Sequence, residues 1–187
     1  MNKTVYLVPG RGNRLSDIGD IVLSLEYNVC GREIMPPFSS GTFSEQLGII
    51  QRDLKEYSWG NDAKLIGHSY GGYLLMNALS EMDPFPGDIL LLSPVLGPAI
   101  DKERLYISYP PRSNKLLTLA KASKFPIPRY MEMHIGSNDN GSSLELARTI
   151  CGMIPVAKLH IVLNQGHTLK KNYLEKVISG FLKYGGG

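Results

Sequence analysis

Cysteine and tryptophan are almost missing from this 187-residue chain, which has two of the former and one of the latter. Cys30 and Cys151 are far apart and lack the paired spacing of a metal site, which excludes a disulfide framework or a zinc module as the organiser of the fold. Both stand in apolar surroundings, so buried thiols in a reducing compartment, the cytoplasm, are expected. Long hydrophobic runs are also missing. Met1-Asn2-Lys3-Thr4 leads into only four apolar residues before Pro9-Gly10, too few for a signal peptide, and no stretch approaches the roughly 20 apolar residues of a membrane span. Charge of one sign is scarce as well: a net +3 does not support nucleic-acid binding across the surface. No internal repeat or low-complexity segment stands out.

What remains is ordinary globular composition, 43% apolar and 20% charged, in a length that suits one domain with an ample core. Thr4-Val5-Tyr6-Leu7-Val8 reads as a buried strand ended by Pro9-Gly10. Leu15, Ile18, Ile21, Val22 and Leu25 then form a helical apolar stripe. Residues 27–34 read as a second strand closed by Pro36-Pro37. Thr42-Phe43-Ser44-Glu45 has capping-box chemistry and opens a helix with Leu47, Ile50, Leu54 and Tyr57 on one face. Further strands are expected at 64–66, 88–93, 130–135 and 159–163, and helices at 73–79, 143–150 and 169–182. Short, continuously apolar strands alternating with helices predict a three-layer α/β/α sandwich around a mostly parallel sheet.

One connection breaks the alternation. Residues 94–129 contain Pro110-Pro111 and Pro126-x-Pro128, and only 116–122 look helical. From 101 to 129 there are seven Lys/Arg and two acidic residues. A long connection at the carboxyl end of such a sheet is a candidate small cap or lid.

The stretch with the most chemistry is Gly67-His68-Ser69-Tyr70-Gly71-Gly72, set between an apolar strand and a helix. A serine at the apex of a sharp strand-to-helix turn needs neighbours without colliding side chains, and the glycines supply that. The hydroxyl would then stand at a helix start whose first N–H groups are unpaired. A serine hydroxyl attacks only if a base takes its proton, and that base needs an orienting acid, both from loops at the carboxyl ends of strands. Of four histidines, His68 lies inside the turn with its side chain expected to point away from the serine. His134 and His160 fall within apolar strands and read as satisfied core or sheet-face residues. His167, in Asn164-Gln165-Gly166-His167, lies just past the last strand. Among the acids between Ser69 and His167, Asp139 in Gly136-Ser137-Asn138-Asp139-Asn140-Gly141 follows a late strand in the same way.

These residues, in the order Ser69, Asp139, His167, resemble the α/β-hydrolase fold over nearly the whole chain. The resemblance implies Ser69 as nucleophile, His167 as general base and then acid, and Asp139 as the group holding the imidazole. Pro9-Gly10-Arg11-Gly12 resembles the oxyanion loop, which implies the backbone N–H of Arg11 as a donor paired with that of Tyr70. The usual His-Gly of that loop is Pro-Gly here. The chain starts at what would be the family's third strand, so a compact fold without the leading hairpin is expected, with six strands in the order 2-1-3-4-5-6.

The implied activity is serine hydrolysis of an ester, thioester or related acyl bond on a small-molecule substrate, with no cofactor and no metal. Acyl transfer or peptide cleavage would use the same residues, and a non-catalytic binding protein on this scaffold is the reading from a different class. Arg11 and Arg14 near the mouth, with the basic connection, point to an anionic or polar group on the substrate, Arg14 being a candidate substrate contact.

Overall fold

The computed structural model describes residues 3–101 and 106–184, with the backbone alone described at 99–101, 106–108 and 184. In chain order the elements are β1 (Thr4–Val8), α1 (Ser16–Ser24), β2 (Asn28–Gly31), α2 (Phe43–Tyr57), β3 (Lys64–His68), α3 (Tyr70–Leu79) and β4 (Asp88–Leu92). A hairpin of β5 (Ala99–Asp101) and β6 (Tyr106–Ser108) follows, then α4 (Lys115–Lys121), β7 (Tyr130–Gly136), α5 (Leu144–Met153), β8 (Ala157–Val162) and α6 (Lys171–Tyr184).

Six strands form one sheet in the order β2-β1-β3-β4-β7-β8, and every pairing in it is parallel. This is the order that the family resemblance implied. The strands are apolar on both faces because both are covered. Tyr6, Val8, Leu65, Ile89, Leu91, Met131 and Met133 pack toward α2, α3, α4 and α5, against residues such as Leu47, Leu74, Leu116 and Ile150. Val5, Leu7, Ile66, Leu90 and Leu92 pack toward Ile18 and Val22 of α1 and Ile178 and Phe181 of α6. The period-2 alternation of each strand thus feeds two cores. The capping box of α2 is formed: Thr42 Oγ1 accepts from the Glu45 N–H at 3.3 Å, and Glu45 Oε2 accepts from the Thr42 N–H at 2.7 Å.

Four features differ from the sequence expectation. The second strand is shorter, because the chain leaves the sheet at Arg32, whose guanidinium turns to Asp53. The 94–129 connection contains the antiparallel hairpin β5–β6, whose three-residue strands are too short to leave a periodic signature. Its later part belongs to the helical layer: Leu116, Ala120 and Phe125 are buried in the core shared with α3 and α5. Residues 102–105, part of the stretch expected to cap the sheet, lie outside the described residues. Cys151 is buried, but Cys30 is only half-buried. His134 and His160 do lie on a sheet face, their rings parallel at 4.4 Å and the Tyr173 hydroxyl 2.8 Å from His134 Nδ1.

One buried charge ties the sheet edge to α2. Asp53, 6% exposed, accepts from the Tyr6 hydroxyl at 2.8 Å and takes both arms of Arg32 at 2.6 and 2.8 Å. Burial, and then the bond to this carboxylate, push the Tyr6 phenol far above its ordinary pKa. Asp53→Ala leaves a buried hydroxyl without its acceptor, whereas Tyr6→Phe removes the donor and leaves the carboxylate its arginine. Urea unfolding should show a loss of about 2–3 kcal/mol for Asp53→Ala and about 1 kcal/mol for Tyr6→Phe.

Candidate active site

The site begins with a backbone constraint. β3 runs out at His68, Ser69 takes φ 52° and ψ −123°, and α3 starts at Tyr70. A side chain at Gly67 would put its Cβ 2.7 Å from the Cα of Gly72, so strand and helix approach too closely there for any other residue. At Gly71 a Cβ would lie 2.1 and 2.2 Å from the carbonyl oxygens of Val8 and Pro9, which brings the loop after β1 against the first turn of α3. The Ser69 backbone is held on both sides: its N–H donates to the Leu92 carbonyl at 3.0 Å, and its carbonyl accepts from Val95 N–H at 3.0 Å. The strain of a non-glycine residue at positive φ is offset by these fixed neighbours.

Ser69 Oγ lies 2.7 Å from His167 Nε2, and His167 Nδ1 lies 2.9 and 3.1 Å from the two carboxylate oxygens of Asp139. The serine, histidine and aspartate singled out in the sequence therefore form one hydrogen-bonded row. They come from the carboxyl ends of β3, β8 and β7, three strands of one parallel sheet. The Asp139 carboxylate is fully buried, and its Oδ1 also accepts from the N–H groups of Gly141 and Ser142 at 2.8 and 2.9 Å. The imidazole of His167 lies flat over Gly141, where a Cβ would come within 2.9 Å of Nδ1.

Two contributors were not legible in the sequence. Ser142 receives no signal from any motif, yet it connects the loops: its N–H goes to Asp139, and its hydroxyl faces the carbonyls of Ser93 and Pro94 at 3.0 and 2.7 Å. The aspartate loop is thereby fastened to the end of β4. His68 is the second. Its ring is stacked beside that of His167, with centroids 6.3 Å apart, under the loop formed by Pro9, Gly10 and Asn13. It borders a cavity of about 140 Å³ with Ile18, Leu92, Leu169 and Leu174.

The two N–H groups implied as oxyanion donors lie in the two backbone segments that Gly71 brings together. Tyr70 N–H is the first of α3, a position with no partner inside the helix. Arg11 sits in the tight turn closed by Asn13 N–H on the Gly10 carbonyl, and its guanidinium lies over the Tyr70 ring, 4.3 Å from the centroid. Arg14 is exposed at the entry to α1, where its backbone N–H donates to Asp17, and no hydrogen bond or ion pair among the described residues joins it to Ser69 or His167. Among the described residues, no cluster of histidine, cysteine or carboxylate side chains is arranged to hold a metal ion.

Burial, and next the positive charge of His167, lower the His68 pKa from 6.5 to about 4. The folded protein resists protonating His68 in a pH range where the unfolded chain accepts the proton. Its contribution to stability is complete above the ordinary histidine value and is lost as pH falls from about 6.5 to about 4. Between pH 7 and pH 4, denaturant-derived stability should fall about 3 kcal/mol further in the wild type than in His68→Asn.

Neither a protein-family model nor a curated protein sequence matches the chain. Solved structures do resemble it. MenH from S. aureus aligns over 100% of this chain and 96% of its own, with a TM-score of 0.72 at 15% identity. A Paleococcus ferrophilus monoacylglycerol lipase aligns over 96% and 93%, with a TM-score of 0.71 at 13% identity. Est1E from Butyrivibrio proteoclasticus aligns over 98% and 86%, with a TM-score of 0.68 at 13% identity. With its parallel six-stranded sheet between two helical layers, and with these likenesses over nearly its full length, the chain has the α/β-hydrolase fold.

Proposed function

We propose that the protein is a serine hydrolase that cleaves an ester, thioester or related acyl bond. The observation that carries this reading is the row Ser69 Oγ, His167 Nε2, His167 Nδ1, Asp139 at hydrogen-bond distances, rooted in three strand ends. An esterase and a monoacylglycerol lipase among the similar structures support the hydrolase reading.

In the proposed mechanism Asp139 accepts from His167 Nδ1–H. This fixes the tautomer in which Nε2 carries a lone pair toward Ser69. As Ser69 Oγ attacks the acyl carbon, Nε2 takes its proton. The carbonyl oxygen becomes an oxyanion and receives the N–H groups of Tyr70 and Arg11, dipoles already in place before charge develops. The resulting imidazolium gives its proton to the leaving alcohol or thiol as the tetrahedral intermediate collapses to the acyl-enzyme. Water then enters, His167 removes one of its protons, and the second tetrahedral intermediate releases the acid and restores Ser69. Each step uses only side chains and amides, with no cofactor. The reading places the enzyme in the cytoplasm, where free Cys30 and Cys151 stay reduced. No described helix is long and apolar enough to cross a membrane.

Fluorophosphonate labelling tests the nucleophile without knowledge of the substrate. The wild type should label, and Ser69→Ala and His167→Ala should not. On a short activated ester, kcat should fall on the order of 10⁴-fold or more for Ser69→Ala and His167→Ala, and about 10³- to 10⁴-fold for Asp139→Asn. A folded wild type that neither labels nor turns over any short ester or thioester overturns the hydrolase reading in favour of a binding module.

A further inference from the structure

Next to Ser69 stands a cation with no carboxylate partner among the described residues. Arg11 projects from the turn after β1, and its guanidinium carbon lies 4.3 Å from the centre of the Tyr70 ring, the side chain directly after Ser69. Among the described residues no ion pair involves it. Two other cations among the described residues are engaged. Arg112 and Lys115 share Glu81, and Arg112 also donates to Ser44. Arg14 bonds Asp17 through its backbone N–H, and its exposed side chain belongs to the entry of α1.

The guanidinium is also held in place rather than waving in solvent. The turn is closed by the Asn13 N–H on Gly10, Gly12 takes φ 78°, and the Asn13 side chain is tied to Asp17 at 2.9 Å. Tyr70 in turn sits in an aromatic row, 5.8 Å from Tyr73, which lies 5.9 Å from Phe43. A guanidinium resting on an aromatic ring uses its face for the cation–π contact. Its N–H donors remain in the plane, the arrangement that takes an oxyacid side-on. Arg11 is exposed, but its guanidinium rests on the residue adjoining the nucleophile, which makes it a reading element for whatever is bound there.

We propose that Arg11 is a specificity-determining residue, and that the substrate is an acyl ester or thioester carrying an anionic oxyacid group that the Arg11 guanidinium binds while Ser69 attacks the acyl carbon. This rests on the serine-hydrolase reading above and narrows it to a substrate class. The sequence offered Arg11 and Arg14 alike for this task, and the geometry selects Arg11, since its guanidinium lies on the ring of the residue after Ser69, whereas Arg14 stands at the entry to α1.

The test compares matched esters that differ in one carboxylate. On the acyl side, mono-4-nitrophenyl glutarate is set against 4-nitrophenyl valerate. On the leaving side, the acetate ester of 4-hydroxybenzoate is set against that of 4-hydroxybenzamide. For each pair the readout is the anionic-to-neutral ratio of kcat/KM, so intrinsic ester reactivity and general damage to the site cancel between proteins. Arg11→Met keeps the backbone N–H and an apolar side chain. It should lower the ratio about tenfold in at least one pair, and that pair identifies the side of the scissile bond on which the anion lies. Arg11→Lys should retain most of the wild-type ratio, and 0.5 M NaCl should compress the ratio in the wild type but not in Arg11→Met. A ratio that moves less than threefold in both pairs, in an Arg11→Met protein that still labels with fluorophosphonate, overturns the assignment and leaves the hydrolase reading standing. A wild type that neither labels nor turns over any of the four esters overturns the hydrolase reading, and this assignment with it.

Discussion

The close approach of three backbone segments at Ser69 is the constraint on which the rest of the site depends. β3 and α3 meet with Gly67 and Gly72 nearly in van der Waals contact, while the loop after β1 presses its carbonyls against Gly71. No hydrogen bond or apolar contact could substitute for this, because the limiting quantity is the volume of a Cβ. Given that packing, Ser69 is forced into its positive-φ conformation with its hydroxyl clear of the sheet, and Arg11 is carried against Tyr70. The remaining geometry adds to this frame. β7 and β8, paired in parallel from Met131 with Ala157 to Gly136 with Val162, deliver the aspartate and histidine loops side by side.

The two loops are held by polar contacts, not by apolar packing. Asp139 is fixed by two backbone N–H groups, Ser142 bolts the aspartate loop to the end of β4, and Ser137 Oγ accepts from Asn164 N–H at 2.9 Å, joining it to the histidine loop. Loops at a sheet end have little apolar surface to bury, so directional bonds to backbone groups must supply their rigidity. The proposed chemistry asks for this: a proton passed from Ser69 to an imidazole that Asp139 holds in place tolerates little displacement of any of the three.

Much of this was legible in the sequence because it is written locally. The apolar runs gave six strands, the capping box at Thr42 gave the start of α2, and the strand order was implied by the resemblance to the α/β-hydrolase fold. Ser69, Asp139 and His167 could be singled out because each lies at a strand end beside glycine, a feature visible without tertiary information. Ser142 could not, since a serine in a Gly/Ser-rich loop is indistinguishable from its neighbours until β4 is placed beside it. Nor could the stacking of His68 on His167, a contact between residues about a hundred positions apart that depends on how the last loop folds back over the first. The β5–β6 hairpin escaped notice for the opposite reason: three residues per strand are fewer than periodicity needs.

The parallel sheet is also an order of assembly in time. Its strands spread from β1 to one edge at β2, then return through β3, β4 and β7 to finish at β8 on the other edge. A chain emerging from the ribosome can therefore lay down the serine turn against β1 early, add the aspartate loop with β7, and close the row only when β8 docks at the rim. An inert intermediate and a competent protein then differ by one edge strand and one helix, so appearance of the proposed activity during synthesis would report completion of the sheet.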